Sequence, residues 1–181
     1  MSSSIAQCCE GMKCNDNYVK FPFRLKDDQP KTCGCRGFDL HCDDELGLLL
    51  KLGAADLTVD NIYYSSREIV LSDPNDCLPQ KLLNLNITST PFQGSVIAHY
   101  PMYNCSGFDY PFDFSYQRKI DCLSGSNYTV ISEEYSLPRS TIPNCTFLKQ
   151  VSVPTDTAYI HLNSYSSFYL TWDEQDCVSC R

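Results

Sequence analysis

Basic side chains are concentrated at the start of this 181-residue chain, where they could bind a polyanion. Residues 1–36 carry six basic and four acidic side chains, a net charge of +2, whereas residues 37–181 carry eight and eighteen, a net charge of −10. Lysine and arginine hold carboxylates by charge-assisted hydrogen bonds, so the basic stretch predicts a binding site for an acidic ligand. The candidate binding residues are Lys20, Arg24, Lys26, Lys31 and Arg36.

Three of these cations are predicted to share one face of a strand. Apolar residues alternate with basic residues and a proline over residues 19–26, and successive side chains of a strand point to opposite faces. Lys20, Arg24 and Lys26 would therefore lie together, and Pro22, which has no N–H to donate, would place the strand at the edge of a sheet. The alternative interpretation is a solubilising edge, because lysine commonly protects edge strands from aggregation.

Twelve cysteines in a chain of this length predict disulfide bonds formed in an oxidising compartment. The alternative is metal binding inside the cell. However, the C-x-x-C pair at 177–180 has no partner pair at zinc-site spacing and no βαβ context for redox chemistry. The predicted disulfide cysteines are Cys8, Cys9, Cys14, Cys33, Cys35, Cys42, Cys77, Cys105, Cys122, Cys145, Cys177 and Cys180.

Four Asn-x-Ser/Thr sequons favour a secreted protein, because such sequons are the acceptors of N-linked glycans. They begin at Asn86, Asn104, Asn127 and Asn144. In the second and fourth sequons the middle residue is cysteine, so folding into a disulfide would compete with glycosylation there. Asn86 and Asn127 are therefore predicted to be the better glycan sites.

Several function classes are disfavoured. A net charge of −8 argues against a nucleic-acid partner. The three histidines, His41, His99 and His161, stand in no recognisable catalytic arrangement, and nucleophile-elbow, zinc-protease and phosphate-loop motifs are absent, so we expect no enzyme activity, no cofactor and no metal. The acidic run at 43–45 is expected to be a solvated loop.

The ends of the sequence lack membrane and targeting signals. The first residues have neither the basic nor the apolar region of a signal peptide, and no run of 18 apolar residues predicts a membrane span. Because the cysteines and sequons favour secretion, we expect an extracellular or cell-wall-facing protein whose signal is missing from this sequence.

Period-2 alternation predicts an all-β, disulfide-rich fold of short antiparallel strands with little helix. In the run 48–52, leucines alternate with Lys51 on the opposite face. The runs 57–64 and 68–71 are separated by three residues, a link short enough for a hairpin. Two modules are expected, one over residues 8–90 and a second cysteine-rich β module over residues 91–181.

The order of several short motifs in the first half is familiar. They are Phe21-Pro22-Phe23, Cys33-Gly34, Phe38-Asp39-Leu40-His41-Cys42 and Val59-Asp60-Asn61-Ile62-Tyr63-Tyr64. This order resembles the galacturonan-binding domain of plant wall-associated receptor kinases, with Phe21 at the place of the usual tyrosine.

Later stretches extend the likeness to most of the chain, roughly residues 8–180. They are Asp73-Pro74-Asn75-Asp76-Cys77-Leu78-Pro79, Asp121-Cys122-Leu123-Ser124 and Cys177-Val178-Ser179-Cys180. This run resembles the ectodomain of plant ATL-type RING-finger proteins, and the related leaf-rust-resistance-type receptor kinases fit it less well. Compared with the family, Cys35 and one member of the Cys8-Cys9 doublet are additional, so we expect these two to pair.

The resemblance implies a non-catalytic extracellular module that binds the acidic cell-wall polysaccharide pectin, or galacturonan, in a family anchored to the membrane by one span. One alternative is the ectodomain fragment of a membrane RING-type E3 ubiquitin transferase, since the RING zinc pattern is absent from this sequence. Another is a protein-interaction module that recognises a peptide or co-receptor without binding glycan. Charge-led binding should weaken steeply with salt, whereas an apolar protein interface should not.

Overall fold

The computed structural model describes residues 10–133 except 86, 95 and 107–116, and beyond them residues 142, 144–155, 162 and 167–173. These residues form three β-sheets, one short α-helix and two 3-10 turns. The predicted all-β, disulfide-rich fold is confirmed. Within the described residues, no helix has the length and apolar character needed to cross a lipid bilayer.

A seven-stranded sheet dominates the described structure. Its strand order is β3 (Arg24–Leu25), β4 (Asp39–Asp43), β5 (Gly47–Leu52), β6 (Ala55–Tyr63), β7 (Glu68–Ser72), β13 (Phe168–Trp172) and β8 (Phe92–Gln93). Neighbouring strands run antiparallel, except that β3 and β4 are parallel. The leucines of β5 at 48, 50 and 52 are buried while Lys51 is exposed, as the alternation predicts. The predicted hairpin is also confirmed, because β6 pairs with β7.

The remaining strands form a four-stranded sheet and a small hairpin. The four-stranded sheet has the order β10 (Gln117–Lys119), β11 (Tyr128–Glu133), β9 (Val96–Ser106) and β12 (Cys145–Thr155). The hairpin pairs β1 (Met12–Cys14) with β2 (Asn17–Val19). The helix α1 (Leu78–Leu82) has a proline in its first turn, where the missing N–H costs nothing, and the 3-10 turns span Lys31–Cys33 and Asp121–Leu123.

Residues from both halves of the chain build the main core. The Phe23 ring lies 5.2 Å from that of Phe38 and 5.0 Å from that of Trp172, both edge-on, and 6.2 Å from that of Phe92. Strands β8 and β13, which lie beyond residue 90, also belong to the larger sheet. The two expected modules therefore share a sheet and a core, and their boundary stays a prediction.

Disulfide bonds join the described elements across long sequence separations. Cys14 pairs with Cys42, linking the hairpin to β4, Cys77 pairs with Cys122, and Cys105 pairs with Cys145 across β9 and β12. Cys35 is also disulfide-bonded, and Cys33 is buried. The expected disulfides at residues 8, 9, 177 and 180 lie outside the described residues, so the pairing expected for Cys35 stays a prediction.

The predicted continuous strand over residues 19–26 is wrong. Strand β2 ends at Val19, the Phe21–Pro22 peptide bond is cis, and a new strand begins at Arg24 and pairs with β4. A proline has a fixed φ and no N–H, so the ladder does not continue through Pro22. Strand β3 does lie at the edge of its sheet, as the proline predicts.

Candidate functional site

Two cations, Arg36 and Lys51, line the same cleft at one end of the larger sheet. The cleft has a volume of about 780 Å³, and its lining includes Arg36, Lys51 and the hydroxyl-bearing Ser89 and Thr90. Asp173 is the carboxylate among the described lining residues, which therefore carry two positive charges against one negative charge. Among the described residues, neither Arg36 nor Lys51 takes part in a salt bridge. We refer to this depression as the Arg36–Lys51 cleft.

Long-range packing assembles the Arg36–Lys51 cleft from segments that are far apart in sequence. Lys51 points to solvent near the end of β5, and Arg36 follows the buried Cys35 in the loop before β4. Gly37 has a φ of +89°, and a Cβ there would lie 2.8 Å from Cδ of Pro91. Glycine is therefore the residue that lets this loop approach the 89–91 segment, which supplies the hydroxyl groups.

A neighbouring hollow shares Gly37 and Lys51 with the cleft but has the opposite charge balance. Its volume is about 590 Å³, and its charged lining residues are Lys26, Lys51, Asp27, Asp39 and Asp56. Asp27 also pairs with Nδ1 of His41. Three carboxylates against two lysines in the described lining, with Asp39 paired to the buried Arg24, leave no excess of positive charge there, so the Arg36–Lys51 cleft is the better place for an acidic ligand.

Arg24 is buried and ion-paired within the protein instead of being exposed. Only 3% of its surface is exposed, and its Nε lies 2.6 Å from a carboxylate oxygen of Asp39. Its Nη1 donates to the backbone carbonyl oxygens of Gln29 at 2.6 Å and of Lys26 at 3.2 Å. With its donors satisfied inside the protein, Arg24 does not form the expected exposed row with Lys20 and Lys26.

The other cations predicted from the sequence are exposed but dispersed. Arg36 lines the cleft, Lys26 lines the adjacent hollow, and Lys31 lies in the 3-10 turn before Gly34. Lys20 is in a third depression, where its Nζ lies 4.7 Å from the ring centroid of Tyr64. The structure thus brings Arg36 together with Lys51, a residue absent from the candidate set.

The acidic run at residues 43–45 forms a hydrogen-bonded turn. Asp43 Oδ1 accepts the backbone N–H groups of Glu45 at 2.9 Å and of Leu46 at 2.8 Å. The bonds from Leu46 and Glu45 favour the ionised carboxylate and lower the pKa of Asp43. Across the described ranges, no three His, Cys, Asp or Glu side chains are grouped to hold a metal ion.

Three of the four sequon asparagines lie around one depression of the smaller sheet. Asn104, Asn127 and Asn144 line a hollow of about 440 Å³, whereas Asn86 lies outside the described residues. The disulfide between Cys105 and Cys145 joins the middle residues of two of these sequons. Beside this disulfide, the Ser106 backbone N–H and hydroxyl donate to the carbonyl oxygen of Asn144. Two sequons are thus held side by side by one covalent bond.

Comparisons with known proteins support the resemblance drawn from the motifs. Residues 8–73 match the sequence model of the family described as wall-associated receptor kinase galacturonan-binding. The chain is 30% identical to the RING-H2 finger protein ATL21A of Arabidopsis thaliana over 99% of its length, which covers 51% of that relative. It is 29% identical to the RING-H2 finger protein ATL22 of the same plant, again over 99% of the chain and over 49% of the relative.

A receptor kinase is also among the relatives. The chain is 35% identical over 55% of its length to the leaf rust 10 disease-resistance locus receptor-like protein kinase-like 1.2 of Arabidopsis thaliana, covering 16% of it. No solved structure matches the chain. The chain spans about half the length of the RING-H2 relatives. The predicted resemblance is confirmed: residues 8–73, which include Arg36 and Lys51, match the wall-associated receptor kinase galacturonan-binding family, in a chain similar along its length to RING-H2 finger proteins.

Proposed function

We propose that this chain is a non-catalytic, extracellular binding module for acidic cell-wall polysaccharide, with galacturonan as the ligand. The observation that carries the proposal is the Arg36–Lys51 cleft, whose two cations lie within the matched segment 8–73 and form no ion pair with the described residues. A galacturonan chain repeats a carboxylate on its sugar units, so a cleft lined by two cations suits it.

The chemistry of the lining matches a uronic acid sugar. The planar guanidinium of Arg36 can hold a carboxylate through two parallel N–H···O bonds, and the ammonium of Lys51 adds a point charge. The hydroxyl groups of Ser89 and Thr90 can exchange hydrogen bonds with sugar hydroxyls. Asp173 can accept a bond from a sugar hydroxyl, and it disfavours a second carboxylate on its side of the cleft.

The acidic remainder of the protein weakens the attraction without abolishing it. The net charge of the chain is −8, which repels a polyanion at long range. At physiological salt, charges more than about 8 Å away are largely screened, so the net positive charge of the described cleft lining has the main effect on binding there. Lys26 in the adjacent hollow, and the exposed Lys20 and Lys31, add attraction from further away.

The test is a titration with oligogalacturonides, using neutral glucan oligomers as the ligand control. Arg36→Gln and Lys51→Gln should each weaken binding about tenfold, because each removes a charge-assisted hydrogen bond worth roughly 1.5 kcal/mol. Lys31→Gln is the matched control, since it removes the same charge from an exposed position outside the cleft. Equal losses at all three positions would indicate diffuse attraction, and no binding by the unmodified protein would refute the function.

A protein partner is the second candidate, and exposed apolar side chains favour it. Phe147 and Leu148 are 55% and 49% exposed on β12, an edge strand of the smaller sheet within the described residues. Large apolar groups at an exposed edge suit a partner better than they suit solvent. Binding through this edge should persist at high salt and should fall in Phe147→Ser. Binding in the Arg36–Lys51 cleft should weaken at high salt and should be unchanged in Phe147→Ser.

A further inference from the structure

A small depression with sugar-binding chemistry lies at the other end of β6 from the cleft. It has a volume of about 270 Å³, and we call it the Tyr18 hollow. Leu52 of the cleft pairs with Ala55, and Asn61 of the hollow follows six residues later along β6, so the two depressions are roughly 20 Å apart. The residues lining the hollow are Asp16, Asn17, Tyr18, Lys20, Asn61, Ile62 and Tyr64.

The ring of Tyr18 is a supported platform. It is 54% exposed, and it rests against the backbone of Gly11, where an added Cβ would lie 2.4 Å from Cζ and 2.6 Å from Cε1 of the ring. The Tyr64 hydroxyl donates to the backbone carbonyl oxygen of Tyr18 at 3.1 Å, which fixes this part of the hairpin. One side of the ring is thus held by the protein while much of its surface faces solvent, an arrangement that suits stacking.

Polar groups with unused hydrogen-bonding capacity surround the platform. The side-chain oxygen of Asn61 accepts the N–H of Ile62 at 2.8 Å, which leaves the amide N–H₂ group of Asn61 without a partner among the described residues. The Lys20 backbone N–H donates to the Tyr64 hydroxyl at 2.9 Å, while the Lys20 ammonium group lies over the Tyr64 ring. The carboxylate of Asp16 supplies an acceptor.

We propose that the Tyr18 hollow is a second sugar-binding position, in which a pyranose ring stacks on Tyr18 and its carboxylate group faces Lys20. The choice of an acidic sugar rests on the proposed function. The two positions differ in physical character, because ion pairing in the Arg36–Lys51 cleft is screened by salt whereas stacking on an aromatic ring is not. The stacking contact on Tyr18 therefore supplies a salt-resistant part of the affinity, whereas the contact with Lys20 is screened by salt like those in the cleft.

The test compares tyrosine variants in the same oligogalacturonide titration, at physiological and at high salt. Tyr18→Ala should weaken binding about fivefold, and Tyr18→Phe, which keeps the ring, should bind within about twofold of the unmodified protein. Tyr128→Ala is the matched control. Tyr128 is 43% exposed and also rests against a glycine, but none of the described residues that line its hollow is a cation. Tyr18→Leu keeps apolar cover on Gly11 and should lose as much affinity as Tyr18→Ala, so a folding defect in one variant does not decide the result.

The outcomes separate the hollow from the cleft. The unmodified protein should keep part of its binding at high salt. If Tyr18→Ala and Tyr18→Leu lose that part while Tyr128→Ala keeps it, the second position is supported. Weaker binding in Arg36→Gln together with unchanged binding in both Tyr18 variants overturns it and leaves the proposed function standing. Failure of the unmodified protein to bind any galacturonan oligomer overturns both.

Discussion

A variant of Arg24 can test whether this cation stabilises the fold or contacts the ligand. It lies in the basic stretch that the sequence assigns to the ligand, but its guanidinium group is buried and bonded to Asp39 and to two backbone carbonyl groups. We therefore expect Arg24→Ala to lower the free energy of unfolding rather than to remove a direct contact with the polysaccharide.

The size of the loss follows from the three bonds. The contacts at 2.6 Å to Asp39 and to the Gln29 carbonyl oxygen are short charge-assisted bonds, and the contact at 3.2 Å to the Lys26 carbonyl oxygen is longer. Because the Asp39 side chain is 42% exposed, its bond is discounted for solvent screening. The bond to buried Gln29 keeps its full value, since its carbonyl group is left without that donor. The sum is roughly 3 kcal/mol.

Urea unfolding of the oxidised protein is the assay. Trp172 is the single tryptophan in the sequence and is only 3% exposed, so its fluorescence should report loss of the shared core. Lys26→Ala is the control, because this exposed neighbour should change stability by less than about 0.5 kcal/mol. The contrary result is an Arg24→Ala variant that is as stable as Lys26→Ala and yet loses oligogalacturonide binding. That result would refute the structural role of Arg24 and would indicate that it contacts the ligand.

Two further predictions concern the turn after β4 and the sequons. The pKa of Asp43 is lowered in the folded protein, so the stability it contributes is present above its unfolded pKa of about 3.9 and is lost as pH falls through the lower folded pKa. A carboxyl-carbon NMR titration should show this, and a midpoint at or above 3.9 would contradict it. In a secreted preparation, the sequons containing Cys105 and Cys145 should be less occupied by glycan than Asn127, because their disulfide closes over both. A reductant present during secretion should raise glycan occupancy at those two sequons alone, and glycopeptide mapping with and without the reductant measures this.

The strand content could be predicted because it depends on local alternation. In β5 the leucines at 48, 50 and 52 face the core and Lys51 faces solvent, and the hairpin of β6 and β7 follows from two such runs with a short link. The strand expected over residues 19–26 is wrong because a proline is compatible both with an unbroken edge strand and with an edge strand that begins after it. Pro22 interrupts the ladder, and Arg24 then enters a separate strand whose neighbour is β4.

The pairing of distant segments could not be predicted in the same way. Strand β13 inserts between β7 and β8, and its Trp172 packs against Phe23 from the other half of the chain. Nothing in the local pattern of residues 168–172 specifies that position, because any edge strand with an exposed ladder could accept it. The expected division after residue 90 stays a prediction, and the main core contains contacts between residues on both sides of it.

The exposure of Lys51 could be predicted from the sequence, but its place in the cleft could not. The alternation of β5 already marked it as an exposed cation, but counting charge by stretches assigned the ligand to residues 1–36 and left it out. Whether an exposed lysine attracts a ligand depends on its neighbours across the sheet. Lys51 lies opposite Asp56, which offsets part of its charge, and it lines the same cleft as Arg36. The useful quantity is therefore the charge balance of each depression, which exists only once the strand order is known.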